Sequence, residues 1–235
     1  MKKLITLLLL FTVMFSISAS PDGSWSIGMA AGYTNNTVLQ QKGYRIDTGY
    51  ENGHGFSVSV PVNYKAADFL SIESGIAYTQ KNFTWMKTYR DMADTFTLSQ
   101  QQINGFIEIP FSLCFSLRNG NVSATAGIGA YLGIWTHSYR TDKPYNSSAG
   151  LNGEGKNDTV SGFHSFTQAD NMVESGFIFT SGLEVETGNT VLFLRGVYDI
   201  SLTDLSSNYQ IDRVVRHNST FRAEAGMRFI MGGAK

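Results

Sequence analysis

The chain has 235 residues and a formal net charge of −1. This near-neutral balance gives no electrostatic reason to bind nucleic acid, and we expect no nucleic-acid partner. Charged residues make up only 16% of the chain and aromatic residues reach 13%, whereas ordinary soluble domains carry roughly 25% charged residues. The single cysteine excludes an intramolecular disulfide framework.

The N-terminus has the layout of a secretory signal peptide. Lys2 and Lys3 precede an apolar run from Leu4 to Ile17, and small residues follow the run. The run is shorter than the roughly 20 residues that a membrane-spanning helix needs. We therefore expect a cleaved signal peptide over residues 1–19 and a single exported domain over residues 20–235.

The mature sequence repeatedly alternates apolar and polar residues with a period of two. In residues 105–115, for example, Ile107 and Ile109 alternate with Glu108 and Pro110. Successive side chains of a β-strand point to opposite faces, so this pattern predicts strands. Eight such segments occur, at residues 24–33, 56–64, 70–79, 105–115, 122–139, 176–186, 192–202 and 221–229.

The connections between these segments alternate between short and long. Short polar or glycine-bearing links lie at residues 65–68, 118–121 and 187–190, and long polar segments lie at 34–53, 86–102, 140–173 and 203–218. Short turns at one end and long loops at the other are typical of outer-membrane barrels. The sequence thus predicts an all-β fold, an eight-stranded antiparallel up-and-down transmembrane β-barrel with short periplasmic turns and long extracellular loops.

The polar face of the strands indicates which way the barrel wall is oriented. An arginine facing lipid near the membrane midplane costs roughly 2–4 kcal/mol, so the charged residues are expected inside. The predicted interior network consists of Glu73, Glu108, Glu184, Arg195, Asp199, Arg222, Glu224 and Arg228. Aromatic residues near the ends of the apolar rows predict an interfacial girdle of Trp25, Tyr33, Phe56 and Tyr64.

Alternation alone leaves a second fold open. A secreted soluble β-barrel that binds a small hydrophobic ligand would carry the same pattern with the apolar row facing inward. Pro61 and Pro110 add a further expectation. Proline lacks the N–H that a strand ladder needs, so we expect a local bulge at each.

Three short segments resemble the PorT-like outer-membrane β-barrel family of Gram-negative bacteria. They are Phe106–Ile107–Glu108–Ile109–Pro110, Ala126–Gly127–Ile128–Gly129–Ala130–Tyr131, and Gly75 with Tyr78–Thr79–Gln80–Lys81. The resemblance implies an eight-stranded barrel that the outer-membrane assembly machinery inserts among outer-membrane lipids, and most members have no assigned activity. The chain departs from many outer-membrane barrels because Phe229 is followed by six further residues instead of ending the chain.

An eight-stranded barrel is just wide enough for side chains to fill its interior. The interior charges therefore predict a structural polar plug, with a narrow porin-like pore or transport accessory as the alternative. The segment 140–173 carries Tyr145, Phe163, His164 and Phe166 among small polar residues, a composition suited to surface contacts. We expect a structural or surface-interaction protein, with an extracellular protein or glycan as the possible ligand of its loops.

Catalysis is the remote alternative. His217–Asn218–Ser219 resembles the His-x-Ser motif of lipid A deacylases, but no carboxylate is clearly placed to orient the histidine. His54, His137 and His164 are scattered without metal-ligand spacing. We expect no enzyme activity, no metal site and no cofactor.

Overall fold

A computed structural model describes residues 23–40, 48–90, 95–147, 161–206 and 215–231, so the predicted signal peptide lies outside the described residues. The strands are β1 Ser24–Gln40, β2 Thr48–Ala67, β3 Leu70–Gln80, β4 Phe83–Arg90, β5 Thr95–Asn119, β6 Val122–Ser147, β7 Ser161–Phe163, β8 Val173–Thr187, β9 Thr190–Ser201 and β10 Arg216–Met231. Within those ranges, no helix is long and apolar enough to cross a membrane.

Eight of these strands form a closed antiparallel barrel. Each pairs with its neighbours in the order β1, β2, β3, β5, β6, β8, β9 and β10, and β10 pairs again with β1. The two remaining strands, β4 and β7, pair above this ring. The predicted eight-stranded barrel is confirmed.

One end of the barrel carries the tight turns, and we call it the turn end. Gly120 and Gly188 have positive φ values of 60° and 59° and connect β5 to β6 and β8 to β9. Glycine adopts this conformation without steric cost. Both chain ends of the barrel also lie here, because Trp25 of β1 pairs with Met231 of β10.

The two faces of the wall have opposite polarity. Apolar side chains point outward, and Leu117 is the most exposed of them at 82%. Charged side chains point inward, and Glu108 and Glu224 are each 1% exposed. This polarity is the reverse of the soluble, ligand-binding barrel that the sequence left open.

Several strands extend beyond the barrel at the opposite end, which we call the loop end. The predicted loops 34–53 and 86–102 are largely strand, because β1 reaches Gln40, β2 begins at Thr48 and β5 begins at Thr95. Residues 48–52 of β2 pair with β4, and β4 pairs with residues 95–102 of β5. The long connections are therefore shorter than predicted, since mutual pairing of the strand extensions replaces them.

Apolar side chains fill the barrel at the loop end. The buried cluster comprises Val38, Phe83, Phe106, Trp135 and Leu205, with Tyr50, Trp85 and Phe166 packed against it. A register irregularity allows this on β6: Phe106 pairs with Trp135 and Gly105 pairs with His137, so Thr136 is an extra residue. Trp135 is consequently buried inside, whereas His137 lies outside.

The prediction of bulges at Pro61 and Pro110 was wrong. Pairing of β1 with β2 skips the positions facing Pro61 and then resumes in the same register, and pairing of β3 with β5 does the same at Pro110. Gly75, the β2–β3 partner of Pro61, has a φ of 154°, and an added Cβ there would lie 2.4 Å from the Val60 carbonyl oxygen. The missing N–H thus opens a gap in the ladder without shifting it.

Candidate functional site

All eight residues of the predicted interior network lie in the lumen of the barrel. Glu73 comes from β3, Glu108 from β5, Glu184 from β8, Arg195 and Asp199 from β9, and Arg222, Glu224 and Arg228 from β10. Each forms at least one ion pair with another member of the set. Their inward direction follows from strand parity, because successive side chains alternate between the two faces of the wall.

Two arginines organise the half of the lumen nearest the turn end. Arg228 lies 2.6 Å from a carboxylate oxygen of Glu184 and 2.9 Å from one of Glu73. Arg195 pairs with the other oxygen of Glu73 and lies 2.9 Å from Glu224. Glu73 therefore bridges the two guanidinium groups and links the layers.

Arg222 occupies the middle of the lumen and contacts three carboxylates. Its guanidinium nitrogens lie 3.1 Å from Asp199, 3.4 Å from Glu108 and 3.5 Å from Glu224. Hydroxyl groups complete the coordination of these carboxylates, since Thr79 donates to Glu108 at 2.8 Å and Ser57 donates to Glu224 at 3.2 Å.

Sequence reasoning missed the cation nearest the loop end, Lys81. Its side chain is 0% exposed, lies 2.6 Å from Glu108 and also pairs with Glu174. The ammonium group is 4.6 Å from the ring centroid of Tyr131 and 5.2 Å from that of Phe106. Lys81 therefore joins the ionic network to the apolar cluster above it, through contacts of the cation–π type.

The signal for Lys81 is present in the sequence. Lys81 continues the inward parity of Glu73, Ala77 and Thr79, but it lies two residues beyond the predicted strand 70–79. Its partner Glu174 directly follows the predicted loop 140–173. The predicted strands 70–79 and 176–186 both stop short of these positions, so neither residue was assigned to the inward-facing row.

Side-chain amides line the boundary between β3 and β4. Asn218 donates to Glu174 at 2.6 Å, and Asn36 donates to Asn218 at 3.2 Å. Asn104 donates to the Lys81 carbonyl oxygen at 3.1 Å, and its backbone N–H donates to Asn82 at 2.9 Å. These bonds satisfy polar groups where the continuous ladder is interrupted.

The lumen is thus filled by two layers, an ionic layer from Arg228 to Lys81 and an apolar layer from Phe106 to Leu205. Cavities of about 20 Å³, beside Arg222 and Gly75, and about 80 Å³, beside Arg228 at the turn end, remain among the described residues. Sites for small organic ligands usually measure about 300–1,000 Å³. Direct side-chain contacts therefore close most of the lumen in the described part of the chain.

The predicted girdle residues lie on the outward-facing rows. Trp25, Tyr33 and Phe56 are exposed. Tyr64 differs, being only 5% exposed, because its ring packs 4.7 Å from that of Trp25 and against Gly23. Tyr64 therefore supports Trp25 at the turn end and presents little of its own surface.

The His-x-Ser segment lies on the outward face near the loop end. The His217 ring hydrogen-bonds the Thr203 carbonyl oxygen at 3.1 Å, and the Ser219 hydroxyl pairs with the Tyr198 hydroxyl at 2.7 Å. In the described part of the chain, no group of three or more His, Cys, Asp and Glu side chains is arranged to hold a metal ion.

Structured connections cover the mouth at the loop end. Asp170 bridges to Ser206, and the Asn171 N–H donates to the Leu205 carbonyl oxygen at 3.0 Å. Burial raises the pKa of the Asp170 carboxyl, but hydrogen bonds from the Thr167 N–H and from His164 outweigh burial and hold this pKa below its ordinary value. Asp170 thereby ties the β7–β8 connection to the connection that follows β9.

Comparison with known proteins gives one family and several similar structures. The family model described as outer membrane protein beta-barrel domain matches residues 16–207. Neisserial surface protein A is 15% identical, with 90% of this chain and 98% of that chain covered and a TM-score of 0.43. Ail of Yersinia pestis is 14% identical, with 87% and 98% covered and a TM-score of 0.37. OprG of Pseudomonas aeruginosa is 10% identical, with 92% and 99% covered and a TM-score of 0.44. No curated protein matches the chain.

Proposed function

Since the chain belongs to the outer-membrane β-barrel domain family, we propose that it is a non-conducting structural and surface-interaction protein of the outer membrane. The turn end faces the periplasm and the loop end faces the exterior. The lumen is closed, and the strand extensions carry a folded surface above the membrane.

The filling of the lumen is the observation that carries this proposal. Among the described residues, four cations and six carboxylates pair along the lumen, and five apolar side chains close it at the loop end. The charged side chains contact one another directly across the lumen, so a continuous water-filled path would require several of these ion pairs to separate.

Conductance in a planar lipid bilayer tests the closed lumen. We expect the purified, refolded protein to insert without discrete channel openings at moderate voltage. Its insertion is checked separately by faster electrophoretic migration of the unboiled protein. Regular openings that Arg195→Ala abolishes would support the pore or transport accessory instead.

The surface role is supported by an exposed aromatic side chain on β7, which pairs with β6 at the loop end. Phe163 is 77% exposed, and its ring packs 5.3 Å from that of Tyr139. Rigid, exposed aromatic side chains favour contact with an extracellular protein or glycan. Cells displaying the protein and cells displaying Phe163→Ser should then differ in adhesion to a glycan or protein-coated surface, with equal amounts of barrel in the membrane.

We further propose the group to which the protein belongs, its route of export and its lack of catalysis. The segment Phe106–Pro110 supports a place in the PorT-like group of Gram-negative bacteria, with insertion by the outer-membrane assembly machinery. Export by a cleaved signal peptide would give a mature mass lacking residues 1–19. We also propose that the protein lacks catalytic activity, so lipid A acylation, measured by mass spectrometry, should be unchanged by its presence.

A further inference from the structure

Five outward-facing rings form a continuous band on neighbouring strands near the loop end. We call this band, consisting of Tyr33, His54, Phe56, Tyr78 and His137, the ring belt. Tyr33 and His54 stack with their centroids 5.7 Å apart, Phe56 and Tyr78 lie 5.6 Å apart, and Tyr78 and His137 stack at 6.0 Å. The predicted girdle included Tyr33 and Phe56, but not Tyr78 or either histidine.

The ring belt lies at a boundary in the outward-facing surface. On its turn-end side the outward side chains are aliphatic, including Ala31, Val58 and Ile76. On its loop-end side, the next two outward side chains of β1 are polar, Asn35 and Thr37. An outer-membrane barrel changes its outward side chains in this way where the hydrocarbon region meets the lipid headgroups.

Hydrogen bonds fix the orientation of His137. The Thr136 hydroxyl donates to the Gly105 carbonyl oxygen at 2.9 Å, so its oxygen can accept from His137 Nδ1 at 3.1 Å. The Tyr78 hydroxyl then donates to His137 Nε2 at 3.3 Å. Gly105 is required here, because an added Cβ would lie 2.1 Å from His137 Cε1. Both ring nitrogens of His137 are therefore occupied.

His54 differs because one of its nitrogens remains available. The Tyr33 hydroxyl hydrogen-bonds His54 Nδ1. When the hydroxyl is the donor, the proton of the neutral ring lies on Nε2. Among the described residues, no hydrogen-bond partner occupies His54 Nε2, and the side chain is exposed. An N–H donor held in a fixed direction at the headgroup level suits a strong oxygen acceptor.

We propose that the ring belt is a binding site for the phosphate of an outer-leaflet lipid, with His54 Nε2–H as its donor and the aromatic rings packing against the upper part of the acyl chains. Phosphate oxygens are strong acceptors, and hydrogen bonds to charged groups are among the stronger ones in proteins. The proposal rests on the outer-membrane placement but not on a closed lumen. The conductance experiment and the experiment below can therefore fail independently.

Imidazole NMR of the folded protein tests the site. In protein labelled with ¹⁵N-histidine and held in dodecyl maltoside micelles, dihexanoyl phosphatidic acid should shift the His54 ring resonances saturably. His164 and His217, outside the ring belt, should not shift. Dihexanoylglycerol has the same chains without phosphate, and inorganic phosphate has the anion without chains; neither should shift His54 at the same concentration.

The other outcomes overturn the proposal. An equal shift with dihexanoylglycerol would mean apolar contact only, and an equal shift with inorganic phosphate would mean anion binding without a lipid. No shift with any probe would mean that the ring belt does not bind phosphate.

Two variants separate the donor from the packing. His54→Phe keeps a ring but removes the N–H, and we expect about tenfold weaker retention of phosphatidic acid in native mass spectrometry, as the loss of one such hydrogen bond implies. His164→Gln is the matched control and should retain the lipid as the unaltered protein does. Unchanged retention in His54→Phe would contradict the assigned donor.

Discussion

Substitution of a residue in the lumen should lower the free energy of unfolding most where a buried charge has a single ionic partner. Lys81 is the only cation that contacts both Glu108 and Glu174 among the described residues. Lys81→Met should keep the side-chain volume but leave Glu174 without an ion pair, which costs about 3–5 kcal/mol of unfolding free energy. Urea unfolding in lipid vesicles, followed by tryptophan fluorescence, measures this loss.

Lys65→Met is the matched control for that prediction. Lys65 pairs with Asp68 at 2.7 Å, but the Asp68 side chain is 96% exposed at a turn. Solvent screens such pairs, so the control should change stability far less than Lys81→Met. Equal losses in the two variants would contradict the structural importance of the buried lysine.

At this scale, strand parity predicted the inward direction of charged residues without any structure. It could not predict which carboxylate meets which arginine, because Arg228 and Glu73 are 155 positions apart in the chain. Such pairings depend on the register between strands and on the closure of the ring. Both are set by turns and gaps that lie far from the residues concerned.

Among the elements, the β2–β3 hairpin is the least firmly attached part of the wall. Its pairing with β1 skips Gly28 and Met29, and its pairing with β5 skips Gly75 and Ile76, at the same level of the hairpin. The Ser74 hydroxyl donates to the Pro110 carbonyl oxygen at 2.8 Å and replaces only part of the lost ladder. Local opening of a sheet becomes easier when backbone hydrogen bonds are missing.

We therefore expect faster amide hydrogen exchange in residues 58–62 and 74–78 than in residues 177–181 and 194–198. The latter belong to β8 and β9, which pair without interruption. Pro110→Val supplies an N–H toward β3 and should slow exchange in the hairpin, whereas Thr125→Val, in an uninterrupted part of β6, should not. Similar exchange in the two hairpins of the unaltered protein would refute the weak attachment.

The sequence predicted that Pro61 and Pro110 disturb the strand ladder, but not that each leaves a gap without a bulge. A bulge was the reasonable expectation from a missing N–H. The alignment of Gly75 beside Pro61, one strand from Pro110, changes the outcome, since a residue without Cβ lets the strands pass in register. Three positions separated along the chain decide this, and only the assembled sheet brings them together.

For the whole molecule, the closed barrel was predictable and the folded extension was not. The alternation of short and long connections and the even strand count are global patterns that survive errors at individual residues. The strand extensions at the loop end were predicted to be loops because residues 34–53 and 86–102 lack a clear period of two. Its stability comes from pairing and from a core that includes Phe83 and Trp135, which lie far apart in the sequence.

The two layers of the lumen act in series, so either one alone should keep the barrel closed. Phe106→Ala with Trp135→Ala opens the apolar layer, and Arg222→Ala with Asp199→Ala removes a matched ion pair from the ionic layer. Each double variant should remain without discrete openings in a planar bilayer, whereas the fourfold variant should conduct. Removing Arg222 together with Asp199 avoids leaving either charge buried without its partner.

Electrophoretic mobility without boiling shows whether each variant still forms the barrel, so a folding failure is not mistaken for a closed lumen. Openings in one double variant would mean that the layer left intact does not seal. A folded fourfold variant without openings would contradict this expectation and would mean that the remaining ion pairs of Arg195 and Arg228 still block the lumen. The serial arrangement requires that current appear only when both layers are interrupted, because ions must cross the ionic pairs and the aromatic cluster along the same axis.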